Sequence, residues 1–276
     1  MKAIFNSRVI DTSKPLILTS NRAFCYGDGL FETIVTGPDR IDLVRLHLDR
    51  LARGCKVLQM DFPKDLTEDS LHQFIDQLKK ENKLEGCIRT KLVVWRNEGG
   101  LYSPLENSSS FYVECKATDK PIIRHEESIG ISSSSHTLLS PISFAKTTNA
   151  LTYVLAGIEK KEQELDDIIL TSSGGFLSET HIGNLFWLKN GQLFTPSLST
   201  GCIEGIMRNY LKNGFQNQGV QVSEVESGPE VLQEAELIFS TNASGVNFFK
   251  KLEGLNKEFL PPTDQLTDLI KQLLQL

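Results

Sequence analysis

The chain has 276 residues, of which 39% are hydrophobic and 23% charged, with a formal net charge of −6. That length carries one large or two modest domains, and that composition is unlike a disordered chain. The acidic balance offers no basic field for nucleic acid or an anionic membrane, and no apolar run approaches a bilayer span. The opening Met1-Lys2-Ala3-Ile4-Phe5-Asn6 lacks the apolar core of a secretion signal. Five cysteines, Cys25, Cys55, Cys87, Cys115 and Cys202, are scattered without CxxC spacing. Neither a zinc site nor a disulfide framework is indicated, so no metal is expected and a reducing, cytoplasmic setting fits.

Short strands are predicted at Ala3 to Phe5 and Leu16 to Thr19, separated by a turn-rich patch from Asp11 to Pro15. Gly27-Asp28-Gly29 supplies positions that tolerate positive φ, so it reads as a tight loop. Glu32 to Thr36 returns as a strand, and Gly37-Pro38-Asp39 turns it into Arg40 to Val44, a hairpin pattern. Leu48, Leu51, Ala52, Cys55 and Leu58 then form a helical stripe with His47 and Arg50 near its start. An arginine there suits an anion, because a guanidinium forks onto phosphate oxygens. Leu71, Phe74, Ile75 and Leu78 mark a second amphipathic helix, and Cys87 to Trp95 reads as a central strand ending in the polar loop Arg96 to Tyr102. Ser110 to Cys115 is another strand, and Thr118 to Ser143 is mixed and turn-rich. The domain boundary is placed at its start, giving a smaller domain over 1–118 and a larger one over 119–276.

Lys146 sits between a Ser/Pro-broken loop and a helix whose Leu151, Val154, Leu155 and Ile158 recur at i, i+3, i+4, i+7, the signature of one buried face. Asp167 to Thr171 is a buried strand, and Leu177 to Thr180 a short extended piece. Asn190-Gly191 joins the strands Asn184 to Leu188 and Gln192 to Thr195 as a hairpin. Gly205 opens the helix beginning Ile206-Met207-Arg208, where exposed backbone N–H groups suit a phosphate. The strand Glu236 to Ser240 leads into Thr241-Asn242-Ala243-Ser244-Gly245, a small-residue loop with the same capacity. After Pro261-Pro262 the tail is an amphipathic helix.

Several of these segments, in this order, resemble the class IV (fold type IV) pyridoxal-phosphate enzymes, which include branched-chain and D-amino-acid aminotransferases and aminodeoxychorismate lyases. The resemblance rests on Tyr26-Gly27-Asp28-Gly29-Leu30-Phe31-Glu32-Thr33, His47-Leu48-Asp49-Arg50-Leu51, Lys146-Thr147-Thr148-Asn149, Glu179-Thr180, Asn184-Leu185-Phe186-Trp187, Thr195-Pro196 and Gly205-Ile206-Met207-Arg208. It covers nearly the whole chain. It implies an α/β (α+β) fold of two domains, with the cofactor in the cleft and the lysine carried by the larger domain, and a homodimer.

By the same resemblance, Lys146 matches the lysine that holds the cofactor's aldehyde and moves a proton as general base. Glu179 matches the acid that keeps the pyridine nitrogen protonated. Arg50, the backbone at Ile206 and Met207, and the loop at Asn242 and Ala243 match the phosphate contacts. The family often has threonine or serine where Asn242 stands. Phe31 falls at the substrate pocket wall. The loop Arg96-Asn97-Glu98-Gly99-Gly100-Leu101-Tyr102 is similar to the lyase-type Arg-x-x-Gly-Gly-Arg-Gly-Tyr stretch, with Leu101 near the place of the arginine after the two glycines. Arg89, Lys91 or Arg96 can substitute for that arginine, and Tyr102 joins the candidate pocket. The implied reaction is the lyase's, release of pyruvate from 4-amino-4-deoxychorismate to leave 4-aminobenzoate. The alternatives are transfer of an amino group from a branched-chain or D-amino acid to a 2-oxo acid, and binding of pyridoxal phosphate without turnover.

Overall fold

The computed structural model describes residues 1–38 and 41–275. The chain divides into two compact units, Met1–Lys120 with Ala145–Asn149, and Pro121–Phe144 with Ala150–Leu276. Chain order put Lys146 in the second part. Ala145–Asn149 packs in the first unit because Phe31 N–H donates to Lys146 O (2.8 Å) and Thr148 N–H to Gly29 O (2.9 Å). None of the described helices is long and apolar enough to cross a membrane.

In the first unit, strands β1 (Lys2–Phe5) and β2 (Arg8–Asp11) form a hairpin. Its turn uses Asn6 (φ 45°) and Ser7 (φ 65°), residue types that tolerate the left-handed region. The strand expected at Leu16 to Thr19 is irregular chain, since Arg8–Asp11 takes the place beside β1. A short helix α1 (Arg22–Tyr26), capped by the Asn21 side chain, precedes β3 (Gly29–Thr36). Helices α2 (Val44–Val57) and α3 (Glu68–Asn82) follow, then β4 (Cys87–Arg96) and β5 (Ser109–Thr118). The antiparallel sheet runs β2-β1-β5-β4-β3, so β4 is interior as its sequence requires. The partner of β3 is β4, not the Arg40 to Val44 segment. Val44 already begins α2, while Asp39 and Arg40 lie outside the described residues. One sheet face, with Leu30, Ile34, Leu92, Val94 and Val113, is buried, and both long helices pack on this sheet. Gly54 on α2 permits close approach to β3: a Cβ there would lie 2.7 Å from Leu30 Cδ1.

The second unit is built on a mixed sheet. Its strands are β6 (Ile122–Thr137), β7 (Asp167–Ser172), β8 (Leu177–Thr180), β9 (Asn184–Lys189), β10 (Gln192–Pro196), β11 (Val222–Val225), β12 (Leu237–Asn242), β13 (Gly245–Leu252) and β14 (Lys257–Glu258). The order is β11-β10-β9-β12-β13-β6-β7-β8, with β14 paired to β13. Three helices accompany it, α4 (Leu151–Glu162), α5 (Ile206–Asn217) and α6 (Asp264–Leu274). Asn190 (φ 51°) and Gly191 (φ 74°) make the expected two-residue turn between β9 and β10. The stretch read as turn-rich before Ser143 is instead the long strand β6, parallel to both β13 and β7.

Helix α4 departs from its sequence pattern. Leu151, Val154, Leu155 and Ile158, the expected buried stripe, are 69%, 55%, 55% and 49% exposed. The buried positions are Ala156 and Glu159. Glu159 accepts from Ser132 Oγ (2.5 Å), Ser133 N and Oγ (both 2.8 Å) and Ser134 Oγ (2.9 Å), where the β6–β7 register slips between Ile131 and His136. Burial would raise its pKa, but these donors hold it at about 2. A carboxylate clasped by the serine bulge thus fixes the helix with its polar side inward and its aliphatic stripe outward.

Candidate active site

In the first unit the Lys146 segment lies along the start of β3. Leu30 and Thr147 form an antiparallel bridge. Two glycines permit that approach: Gly27 sits at φ 64° against Asn149, and a Cβ on Gly29 would come within 2.9 Å of Val94 O. The Gly-Asp-Gly loop is therefore the seat of the lysine segment. Lys146 Nζ lies 5.5 Å from the centroid of the Phe31 ring, within cation–π range.

Behind β3, Glu32 is buried together with Arg50 and His47. Arg50 Nε donates to Glu32 Oε1 (2.8 Å), its second nitrogen pairs with Oε2, and His47 Nδ1 stands 2.7 Å from Oε2. Burial opposes ionisation of Glu32, yet the Arg50 charge and the His47 hydrogen bond bring its pKa down to about 2. The α2 stripe thus delivers Arg50 to a carboxylate of its own chain.

Arg96 and Arg22 are also buried, and both Nε atoms donate to Asp28 Oδ2 (2.9 and 2.8 Å). Arg96 further donates to Leu58 O (2.6 Å), Gln59 O (3.2 Å) and Asn107 Oδ1 (2.7 Å). Its guanidinium ties β4 to the end of α2. Arg22 holds the carbonyls of Gly99 (3.0 Å), Gly100 (3.3 Å) and Leu101 (2.7 Å), shaping the loop that follows. Tyr102, on that loop, is 91% exposed, with its ring 5.7 Å from that of Tyr26. Arg89 is exposed on β4.

In the second unit Glu179, on the fully buried β8, accepts three hydrogen bonds. The Tyr153 hydroxyl donates to Oε1 (2.7 Å), the Ile203 N–H to the same oxygen (3.1 Å), and Asn184 Nδ2 to Oε2 (3.2 Å). Tyr153 belongs to no sequence motif, and only the fold turns its hydroxyl onto Glu179. Burial and the Glu179 charge push the Tyr153 phenol far above its usual range. The same two causes raise the neighbouring Cys202 thiol to about 12.

Ile206 and Met207 are buried in the first turn of α5, whose N-cap Gly205 brings no side-chain hydrogen bond. A Cβ on Gly205 would overlap Asn184 Oδ1 at 1.8 Å. Thr241 pairs with Asn184 across β12 and β9, so both side chains share a face. Its Oγ1 is buried without a hydrogen-bond partner. An unsatisfied buried hydroxyl is costly and asks for a polar guest. Asn242 is engaged locally, donating to Ile182 O (3.3 Å) and accepting from Ser244 N (2.7 Å) across the tight turn that holds Ala243.

The amino-transferase class IV family model matches residues 29–249. The chain belongs to that family. A Methanocaldococcus jannaschii protein, provisionally named a branched-chain-amino-acid aminotransferase, is 29% identical over 250 residues, 88% of this chain and 85% of that one. The aminodeoxychorismate lyase of Bacillus subtilis is 24% identical, covering 91% of this chain and 86% of that one. Among solved structures, the branched-chain aminotransferase of Thermoproteus uzoniensis with norvaline has a TM-score of 0.87 at 20% identity, over 99% of this chain and 93% of that one. The fold is therefore fold type IV, and the protein is a pyridoxal-phosphate-dependent enzyme acting on small amino-acid-like molecules.

Proposed function

We propose that the enzyme is of the aminodeoxychorismate lyase type, converting 4-amino-4-deoxychorismate to 4-aminobenzoate and pyruvate. The observation that carries the catalytic reading is the placement of Lys146, whose backbone is hydrogen-bonded to β3 while its amine stands over the Phe31 ring. The donor sets suit the cofactor: an amine for the aldehyde, a buried carboxylate for the ring nitrogen, and the unpaired Thr241 hydroxyl with the uncapped start of α5 for the phosphate. When bound, pyridoxal phosphate supplies an electron sink for the carbon that loses its proton.

Lys146 would hold the cofactor's aldehyde through its amine, and the same amine would move a proton as general base. Glu179, oriented by Tyr153, Asn184 and the Ile203 N–H, would keep a proton on the ring nitrogen. Ile206, Met207, Asn242, Ala243, Thr241 and Arg50 would position the phosphate, and Phe31 would wall the pocket. The similarity of Arg96 to Tyr102 to the lyase-type loop supports the choice of lyase. Amino-acid transamination is the second reading, favoured by the names of relatives such as the Escherichia coli branched-chain-amino-acid aminotransferase, 24% identical over 263 residues.

The experiment has two arms. Borohydride reduction followed by peptide mass spectrometry finds the cofactor fixed to Lys146 and absent from Lys146→Ala. Supplied with 4-amino-4-deoxychorismate, the enzyme releases 4-aminobenzoate; a keto acid formed from L-Leu, L-Val, D-Ala or L-Glu, with no 4-aminobenzoate, rejects the lyase reading. The enzyme is also proposed to be a homodimer, and the outward aliphatic stripe of α4 supports this, because four adjacent large apolar side chains on one helix face are a poor surface for water.

A further inference from the structure

Helix α4 meets β8 and the turn after it through two contacts one helical turn apart. Tyr153 and Gly157 stand at i and i+4, on one side of the helix. The Tyr153 hydroxyl reaches Glu179 Oε1 (2.7 Å). The His181 ring lies against Gly157, where a Cβ would sit 3.5 Å from His181 Cδ2 and 3.9 Å from Nε2. Glu179 and His181 are also two residues apart, so they fall in successive rows on one face of β8 and its continuation. Glu179 pairs with Leu170, and the His181 N–H donates to Ile168 O (3.0 Å). Ile168 and Leu170 pack in one cluster with Ala156 and Tyr153, so this is the face that α4 covers.

His181 is itself braced. Its Nδ1 stands 2.5 Å from Asp167 Oδ1, which also accepts from the Ile168 N–H (2.8 Å). The Asp167 carboxylate is buried, and its other oxygen has no hydrogen-bond partner. A buried carboxylate with an unsatisfied oxygen opposes stability, and an apolar side chain would fill the same space without that penalty. What the pair supplies is direction, because a hydrogen bond to one ring nitrogen fixes the orientation of the imidazole. The turn from β8 to β9 closes without it: Thr180 N–H donates to Gly183 O (2.7 Å) and Gly183 N–H to Thr180 Oγ1 (3.0 Å). The start of α4 does need a fixed support. Its N-cap, Ala150, offers no side-chain hydrogen bond, and the Glu159 clasp lies toward the other end of the helix.

We infer that His181, held by Asp167, is a positioning residue for the reaction: its ring sets the height of α4 above the sheet so that the Tyr153 hydroxyl reaches Glu179. It acts through Tyr153 rather than on the reacting atoms. The inference rests on the proposed function, since it takes Glu179 as the group that keeps a proton on the ring nitrogen. Without the ring, α4 settles or tilts by about 1 Å, enough to take a 2.7 Å contact out of hydrogen-bond geometry.

The test uses the protein loaded with pyridoxal phosphate that is isotope-labelled at its ring nitrogen, whose NMR resonance reports protonation and hydrogen bonding there. Glu179→Gln sets the scale, moving the resonance toward the unprotonated position. Tyr153→Phe and His181→Ala move it in the same direction. The double variant moves it no further than Tyr153→Phe alone, because both changes remove one contact. His181→Asn separates positioning from folding. It keeps an amide N–H for Asp167, so its melting temperature stays closer to wild type than that of His181→Ala. It lacks the ring, so it moves the resonance as His181→Ala does. A wild-type resonance in His181→Asn or in Tyr153→Phe overturns the inference, and so does a double variant whose displacement is the sum of the two. If Glu179→Gln leaves the resonance unmoved, or borohydride fixes no cofactor to Lys146, the proposed function fails and takes the inference with it.

Discussion

Tyr153→Phe isolates one contact of the proposed site. The hydroxyl it removes donates to Glu179 Oε1 at 2.7 Å in buried surroundings, and the ring that remains leaves no new cavity of consequence. A hydrogen bond to a carboxylate is worth about 1.5–3 kcal/mol. Asn184 and the Ile203 N–H still donate to Glu179, so the loss belongs at the lower end, about 1.5 kcal/mol. If that orientation is expressed in the step that leans on the ring nitrogen, kcat falls about tenfold while KM changes little. Because burial and the Glu179 charge raise the phenol's pKa, it stays protonated from about pH 6 to 9, and the rate deficit is constant across that range. The assay is a pH–rate profile of both proteins beside a thermal melt. A Tyr153→Phe enzyme within twofold of wild type in kcat, or one whose deficit grows as pH rises, would refute this role for the hydroxyl.

Three further outcomes are expected. Val154→Glu combined with Ile158→Glu converts a dimer to a monomer in light scattering, since both residues already face outward and the fold tolerates charge there; a monomeric wild type at about 10 μM, or a dimeric variant, contradicts the α4 interface. Glu32→Gln removes the carboxylate that Arg50 forks onto. The folded pKa of Glu32 is depressed from 4.5 to about 2, so its stabilisation is complete above the higher value and drains away as pH falls toward the lower one. The variant loses on the order of 3 kcal/mol at neutral pH, and its denaturant midpoint varies less with pH on the acid side; equal acid slopes would argue against the pairing. Glu159→Gln weakens the clasp of Ser132, Ser133 and Ser134 and lowers the melting temperature by several degrees, whereas an unchanged melt would mean that the serine bulge does not anchor α4.

Much of the local structure could be read directly from residue types. Asn190-Gly191 specified its turn, Gly205 the start of α5, and the apolar run of β4 its interior place in the sheet. These follow from backbone sterics and short-range periodicity, which act over a few residues. Lys146, Glu179 and Arg50 are assigned to the proposed site because their motifs occur together in one order. The partners of those residues were not legible. Glu32 on Arg50, Tyr153 on Glu179 and Asp28 on Arg96 join positions between 18 and 68 apart in the chain.

Helix α4 marks the limit most plainly. Its sequence determined that one face is aliphatic, because a period of 3.6 gathers Leu151, Val154, Leu155 and Ile158 on one side. Which side meets the sheet was decided by Glu159, through hydroxyls that only the β6 bulge brings together. Likewise the sequence determined that Arg89 and Lys91 alternate with core residues, while the register with β3 decided that they share the Phe31 face. Periodicity is a property of neighbouring residues, whereas orientation depends on which distant groups supply the stronger contacts.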